Sequence, residues 1–78
     1  MKAKDLFKKL GYGEIEVIDK ERYINYVNCN EENTEFYFDL EEKTIEKHYL
    51  NSGISVPITL DELQAINQQC RELGWFDE

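Results

Sequence analysis

The residues able to do chemistry in this chain are few and scattered. One histidine, His48, stands two residues from Glu46 in Thr44-Ile45-Glu46-Lys47-His48-Tyr49. An imidazole beside a carboxylate is the pairing that general-base catalysis uses. Glu46, or Glu35 on a neighbouring strand, would supply the carboxylate. No serine, cysteine or second histidine is spaced to complete a nucleophilic constellation. His48 therefore reads first as a strand histidine paired across to a glutamate. The two cysteines, Cys29 and Cys70, fall in different elements without the CxxC spacing of zinc or redox sites. Cys70 lies on an apolar helical stripe, where a thiol behaves as a small hydrophobe. Cys29 closes a strand with no base near it in sequence to lower its pKa. The expectation is two free thiols and no catalytic residue.

The acids Glu31, Glu32, Asp39, Glu41 and Glu42 offer oxygens for a hard cation. Such ions need six or more ligands around a sharp turn. The D-x-D-x-D-G pattern that builds one is missing, so no metal and no cofactor is expected. The five tyrosines and Trp75 could form a stacking platform for nucleic-acid bases. Platforms of that kind sit in positive charge, whereas this chain carries a formal charge of −8. The excess lies between residues 14 and 42, which hold ten acids against Lys20 and Arg22. Phosphate backbones are repelled from such a surface. A protein partner suits it better, met by the acidic turns and an exposed sheet face. Glu31, Glu32, Tyr37, Glu41 and Glu42 are the candidate contacts, with Tyr26 beside Tyr37 on that face.

Elements that could position these residues are short. At 78 residues the chain is one domain. Its 41% hydrophobic and 13% aromatic content suffices for a core, despite 33% charged residues. Residues 2–10 read as a helix with Leu6, Phe7 and Leu10 on one stripe. Gly11 fits its left-handed stop, and Tyr12 then folds back on Phe7. Residues 14–19 alternate weakly and offer an extra edge strand or an extended lead-in. Residues 22–29 form a strand whose inward face is either Tyr23 and Val27 or Ile24 and Tyr26. A loop at 30–33 leads to strand 34–40, where Phe36, Phe38 and Leu40 alternate with polar residues. After a turn at 41–43, residues 44–50 return as the next strand. Pairing Asp39 with Thr44 sets Phe38 against Ile45 and Glu35 against His48. Ile54 to Ile58 could add a short strand, which Pro57 confines to an edge.

The second helix opens on Thr59-Leu60-Asp61-Glu62, a capping box, with Ile58 and Leu63 as its hydrophobic staple. Leu63, Ile66, Cys70 and Leu73 mark its apolar stripe. Asn67, Gln68, Gln69 and Arg71 are assigned to solvent. Gly74 stops the helix and Trp75 folds back on Cys70. Residues 76–78 read as a frayed end. The fold class is α+β: an α-β-β-β-α order, an antiparallel meander of three strands with room for a fourth, and both helices on one face. No apolar run approaches the ~18 residues of a membrane span, and Met1-Lys2-Ala3-Lys4-Asp5 lacks a secretory signal. A cytoplasmic monomer or weak homodimer is expected.

Two resemblances follow from these residues. The α-β-β-β-α order resembles the double-stranded RNA-binding domain in topology. In that family the start of the second helix grips phosphate with lysines, and here Thr59-Leu60-Asp61-Glu62 stands in their place. RNA binding is therefore not carried over. Leu6-Phe7-Lys8-Lys9-Leu10-Gly11-Tyr12, with Ile58-Thr59-Leu60-Asp61-Glu62-Leu63-Gln64-Ala65-Ile66-Asn67-Gln68-Gln69 and Glu72-Leu73-Gly74-Trp75, resembles small proteins of phages and prophages of Gram-positive bacteria. That resemblance implies a bacterial cytoplasm and no particular activity. The expected role is an acidic protein-interaction module rather than an enzyme, with a nucleic-acid-binding module as the alternative.

Overall fold

A computed structural model describes residues 1–15, 22–28, 33–50 and 52–76. The order is α1 (Ala3–Lys9), β1 (Gly13–Ile15), β2 (Tyr23–Asn28), β3 (Thr34–Asp39), β4 (Thr44–Tyr49) and α2 (Leu60–Glu72). The fold is α+β. The antiparallel meander β2-β3-β4 gains β1 as a short fourth strand at its edge. That strand begins at Gly13, and residues 16–19 of the expected 14–19 segment lie outside the described residues.

The register between β3 and β4 is the expected one, pairing Glu35 with His48, Phe38 with Ile45 and Asp39 with Thr44. The turn between them is held by Asp39, whose Oδ1 accepts from the Glu41 and Glu42 amides at 3.0 Å each. Lys43 completes it at φ 57°, a left-handed conformation uncommon outside glycine. On β2, Tyr26 pairs with Phe36 and Ile24 with Phe38. Paired residues share a face, so Ile24 and Tyr26 point to the helices and Tyr23, Asn25 and Val27 point away. Tyr26 is therefore core, not part of an exposed face as expected beside Tyr37.

The core is aromatic. Phe7 of α1 stacks on Tyr26 at 4.0 Å between centroids and meets Phe36 at 5.3 Å and Phe38 at 6.1 Å. Offset and edge contacts of this sort add about 0.5–1.5 kcal/mol each beyond area burial. From α2, Ala65, Ile66 and Cys70 join the same cluster, so both helices cover one sheet face. Each helix ends as its sequence foretells. Tyr12 N–H donates to Phe7 C=O (2.9 Å) and Gly11 N–H to Lys8 C=O (3.0 Å), with Gly11 at φ 94°. Trp75 to Cys70 and Gly74 to Arg71 repeat the pattern at 3.0 and 3.1 Å. The Tyr12 ring returns edge-on to Phe7, as expected. Trp75 reaches further, to Phe38. The N-terminus of α1 has no local side-chain cap, and Glu72 of α2 serves instead, accepting from Ala3 N–H at 2.6 Å.

The facing of α2 departs from the expected stripe. Its buried residues are Glu62, Ala65, Ile66, Gln69 and Cys70. Leu63 is 43% exposed, and its intended staple partner Ile58 is 47% exposed. Two polar side chains turn the helix: Gln69 accepts from the Tyr26 hydroxyl at 2.6 Å, and Glu62 accepts from buried Lys47 at 2.8 Å. Gln69, assigned to solvent from the sequence, is core. The 54–58 segment contracts to one bridge, His48 with Ser55, flanked by Tyr49 N–H to Ile54 C=O and Val56 N–H to Lys47 C=O. Among the described helices none is long and apolar enough to cross a membrane.

Candidate functional site

Strand alternation divides the titratable side chains between two places. On the helix-covered face, Lys47 follows Ile45 and precedes Tyr49 at the inward phase of β4, opposite Phe36. Its side chain is 3% exposed. A buried ammonium is costly unless every proton finds an acceptor. Here Nζ donates to Glu62 Oε1 at 2.8 Å, Glu62 Oε2 at 3.1 Å and Pro57 C=O at 2.9 Å. Glu62 also accepts from Thr59 N–H and from the Tyr12 hydroxyl, both at 2.9 Å, and Tyr12 further meets Thr34 Oγ1. The capping box is complete, with Glu62 N–H bonded to Thr59 Oγ1. Burial alone would raise the Glu62 pKa. Hydrogen bonds from Lys47, Thr59 and Tyr12, with the Lys47 charge, outweigh it and hold the carboxyl below its ordinary value. One glutamate thus caps α2 and neutralises the core lysine. This network is saturated and structural.

The other place is the sheet face that neither helix covers. It carries Tyr23, Asn25 and Val27 of β2, Glu35, Tyr37 and Asp39 of β3, and Thr44, Glu46 and His48 of β4. Glu35 joins the three strands, accepting from Asn25 Nδ2 at 2.7 Å and bonding His48 Nε2 at 2.7 Å. The cross-strand histidine–glutamate pair is the one the register implied. Beside it, the Tyr37 ring lies 6.4 Å from the His48 ring and 4.9 Å from Tyr23. Burial first, then a hydrogen bond with Tyr23 and the charge of Asp39, push the Tyr37 phenol up to about 12. Arg22 continues the row, its guanidinium 5.3 Å from the Tyr23 centroid and its Nε 3.1 Å from Glu41.

Of the residues proposed from sequence, Tyr37 sits at the centre of this face. Glu41 and Glu42 stand exposed at its end, on the β3–β4 turn. Arg22 and Tyr23 connect them to it. Glu31 and Glu32 lie outside the described residues, as does Cys29. Cys70 is free and buried in the core, and burial pushes its thiol up, which disfavours the nucleophilic thiolate.

Sequence spacing missed Ser55. The isolated bridge sets it opposite His48, so a serine, a histidine and a glutamate share one row across β4 and β3. General-base activation needs a hydrogen bond between hydroxyl and imidazole. The His48 contact runs to Glu35, and Ser55 is exposed at the rim. The row is a cross-strand pair with a serine beside it. Among the described residues no three histidine, cysteine or acidic side chains gather as a metal site.

No family model matches this chain, and no curated protein and no solved structure matches it.

Proposed function

We propose that this domain is a non-enzymatic, cytoplasmic protein-interaction module that meets its partner with the uncovered sheet face and the acidic turn beside it. The observation that carries this reading is the Tyr23–Tyr37 pair, ring to ring and half-buried on the sheet face away from the helices, continued through Arg22 to exposed Glu41. Tyrosine supplies amphipathic contact area at little entropic cost, and such residues are enriched in interfaces. The surrounding carboxylates, Asp39, Glu41, Glu42 and Glu46, favour a basic partner surface and faster encounter with it. A phage or prophage setting, implied by the two helical segments, fits a small acidic domain directed at a host protein. Presented as a row, the carboxylates of the turn would imitate nucleic-acid phosphates to a basic groove. The competing nucleic-acid reading is weaker. Lys47 is the only lysine within β1–β4, and it is buried against Glu62.

The test is affinity capture with the purified chain as bait, at low and at high salt. Tyr37→Ala and the pair Glu41→Lys, Glu42→Lys run alongside. The expected result is one partner retained at low salt, released at high salt, and lost with either variant. A partner held equally by both variants, or none at low salt, would sink the proposal.

A further inference from the structure

The sheet face away from the helices sets two tyrosines side by side in different company. The Arg22 guanidinium lies 5.3 Å from the Tyr23 centroid, and its Nε pairs with Glu41 Oε2 at 3.1 Å. A cation over an aromatic ring with a carboxylate beside it is a favourable combination. Tyr37 has the carboxylate without the cation. Its register partner on β4 is Glu46, exposed and on the same face. Among the described residues the cation–ring contacts are Arg22 on Tyr23 and Lys47 on Phe36. The register partner of Tyr37 on β2, Asn25, adds an independent sign. Asn25 is 5% exposed, and its Nδ2 donates to Glu35 Oε2 at 2.7 Å. Glu35 is held in turn by His48, so turning the amide round would set oxygen against oxygen. Asn25 Oδ1 is left buried with no hydrogen-bond donor. A buried acceptor without a donor costs free energy, and native structures hold few of them.

We infer that Tyr37, with Glu46 on one side and Asn25 on the other, is the seat of an arginine side chain of the partner. The inference rests on the reading of this face as a partner surface and names the group that the face takes. The guanidinium lies on Tyr37 as Arg22 lies on Tyr23, pairs with Glu46, and supplies the donor to Asn25 Oδ1. That oxygen is closed to solvent, so the Tyr37 ring moves aside as the guanidinium enters. Chemistry selects arginine over lysine. A guanidinium is planar, stacks on a ring and carries five donors in a fork, so it can serve two acceptors from one position. An ammonium is a compact, strongly hydrated point charge that does not stack.

The probes that test it are N-acetyl-arginine amide and N-acetyl-lysine amide, which carry the same charge on different head groups. Each is titrated into the full chain at low salt and followed by nuclear magnetic resonance. The arginine probe should bind about threefold or more tighter than the lysine probe. It should move the Tyr37 ring, Glu46 and Asn25 side-chain amide signals together. Glu46→Gln should weaken the arginine probe by about two- to fivefold. Tyr37→Leu should weaken it by a similar factor, whereas Tyr37→Phe, which keeps the ring, should leave it within about twofold. Glu46 is exposed, so Glu46→Gln remains informative even where Tyr37→Leu does not fold. Equal affinity for the two probes, shifts that bypass Asn25, or no effect of Glu46→Gln overturns the inference. The acidic-face reading is decided separately, by capture of a protein partner at low salt.

Discussion

Replacing Lys47 by methionine tests whether the core network is organised as described. The side chain is 3% exposed and gives all three protons to acceptors, two of them on Glu62. Methionine keeps the aliphatic bulk and removes the charge. Glu62, 8% exposed, would then be a buried carboxylate with only Thr59 N–H and the Tyr12 hydroxyl for support. Breaking a buried pair from one side costs ~3–5 kcal/mol. A domain of 78 residues has roughly 4–12 kcal/mol in total, so Lys47→Met should leave the fold marginal. Urea unfolding followed by Trp75 fluorescence reads this directly, since Trp75 packs 6.4 Å from Phe38. With a slope of about 1 kcal/mol/M, the midpoint should fall by ~3 M or more.

Glu62→Gln provides the second arm of a cycle. Glutamine preserves the capping box and carries no charge, so with Lys47→Met it should recover at least about 2 kcal/mol relative to the sum of the single changes. The pH dependence adds an independent sign. In the wild type the Glu62 pKa is lowered, so its contribution is present above the unfolded carboxylate value of about 4.3 and fades as pH falls through the folded value. In Lys47→Met, burial is the dominant influence left on Glu62, and the carboxyl should prefer its proton. The penalty of that variant should therefore shrink toward acid pH. A loss below about 1 kcal/mol at neutral pH, or two single changes additive within ~0.5 kcal/mol, would refute the reasoning.

Two further outcomes check the facing of α2 and the environment of Tyr37. Ile66→Ala, at a residue 5% exposed, should cost ~2–5 kcal/mol, whereas Leu63→Ala, at one 43% exposed, should cost less than about 1 kcal/mol by denaturant unfolding. The opposite ranking would restore the stripe read from the sequence. Tyr37 should ionise near pH 12, seen as the late phase of an ultraviolet absorbance titration that Tyr37→Phe abolishes. Its raised value means a contribution to stability that is intact below about pH 10 and is lost as pH climbs through the folded value. A titration with every tyrosine near 10 would show the ring to be solvated.

How far the sequence reaches depends on whether the controlling interaction is local. Gly11, Gly74 and the Thr59–Glu62 box act within a few residues of themselves, and each stands where its spacing places it. The alternation of Phe36 and Phe38 fixes the phase of β3. One turn, held by Asp39, then carries that phase to β4 and sets Glu35 against His48. β2 has no such anchor, because Tyr23, Ile24, Tyr26 and Val27 put bulky residues on both faces. Its phase comes from pairing with β3, and with it the identity of the tyrosines on the face away from the helices. The same kind of ambiguity turned α2. Leu63 looks more apolar than Gln69, yet Gln69 is buried with a partner in Tyr26 and Leu63 is left 43% exposed. Lys47 was visible in one respect, as a lysine at the inward phase between Ile45 and Tyr49. Its acceptor was hidden, because Glu62 already had a sufficient local explanation as the capping glutamate. The displaced Leu63 belongs to the same balance: satisfying Lys47 and Tyr26 from α2 turns a leucine outward. A variant that relieves the network, such as Lys47→Met with Glu62→Leu, should let α2 turn and draw Leu63 inward, so that Leu63→Ala made in that background costs more than the ~1 kcal/mol it should cost at most in the wild type.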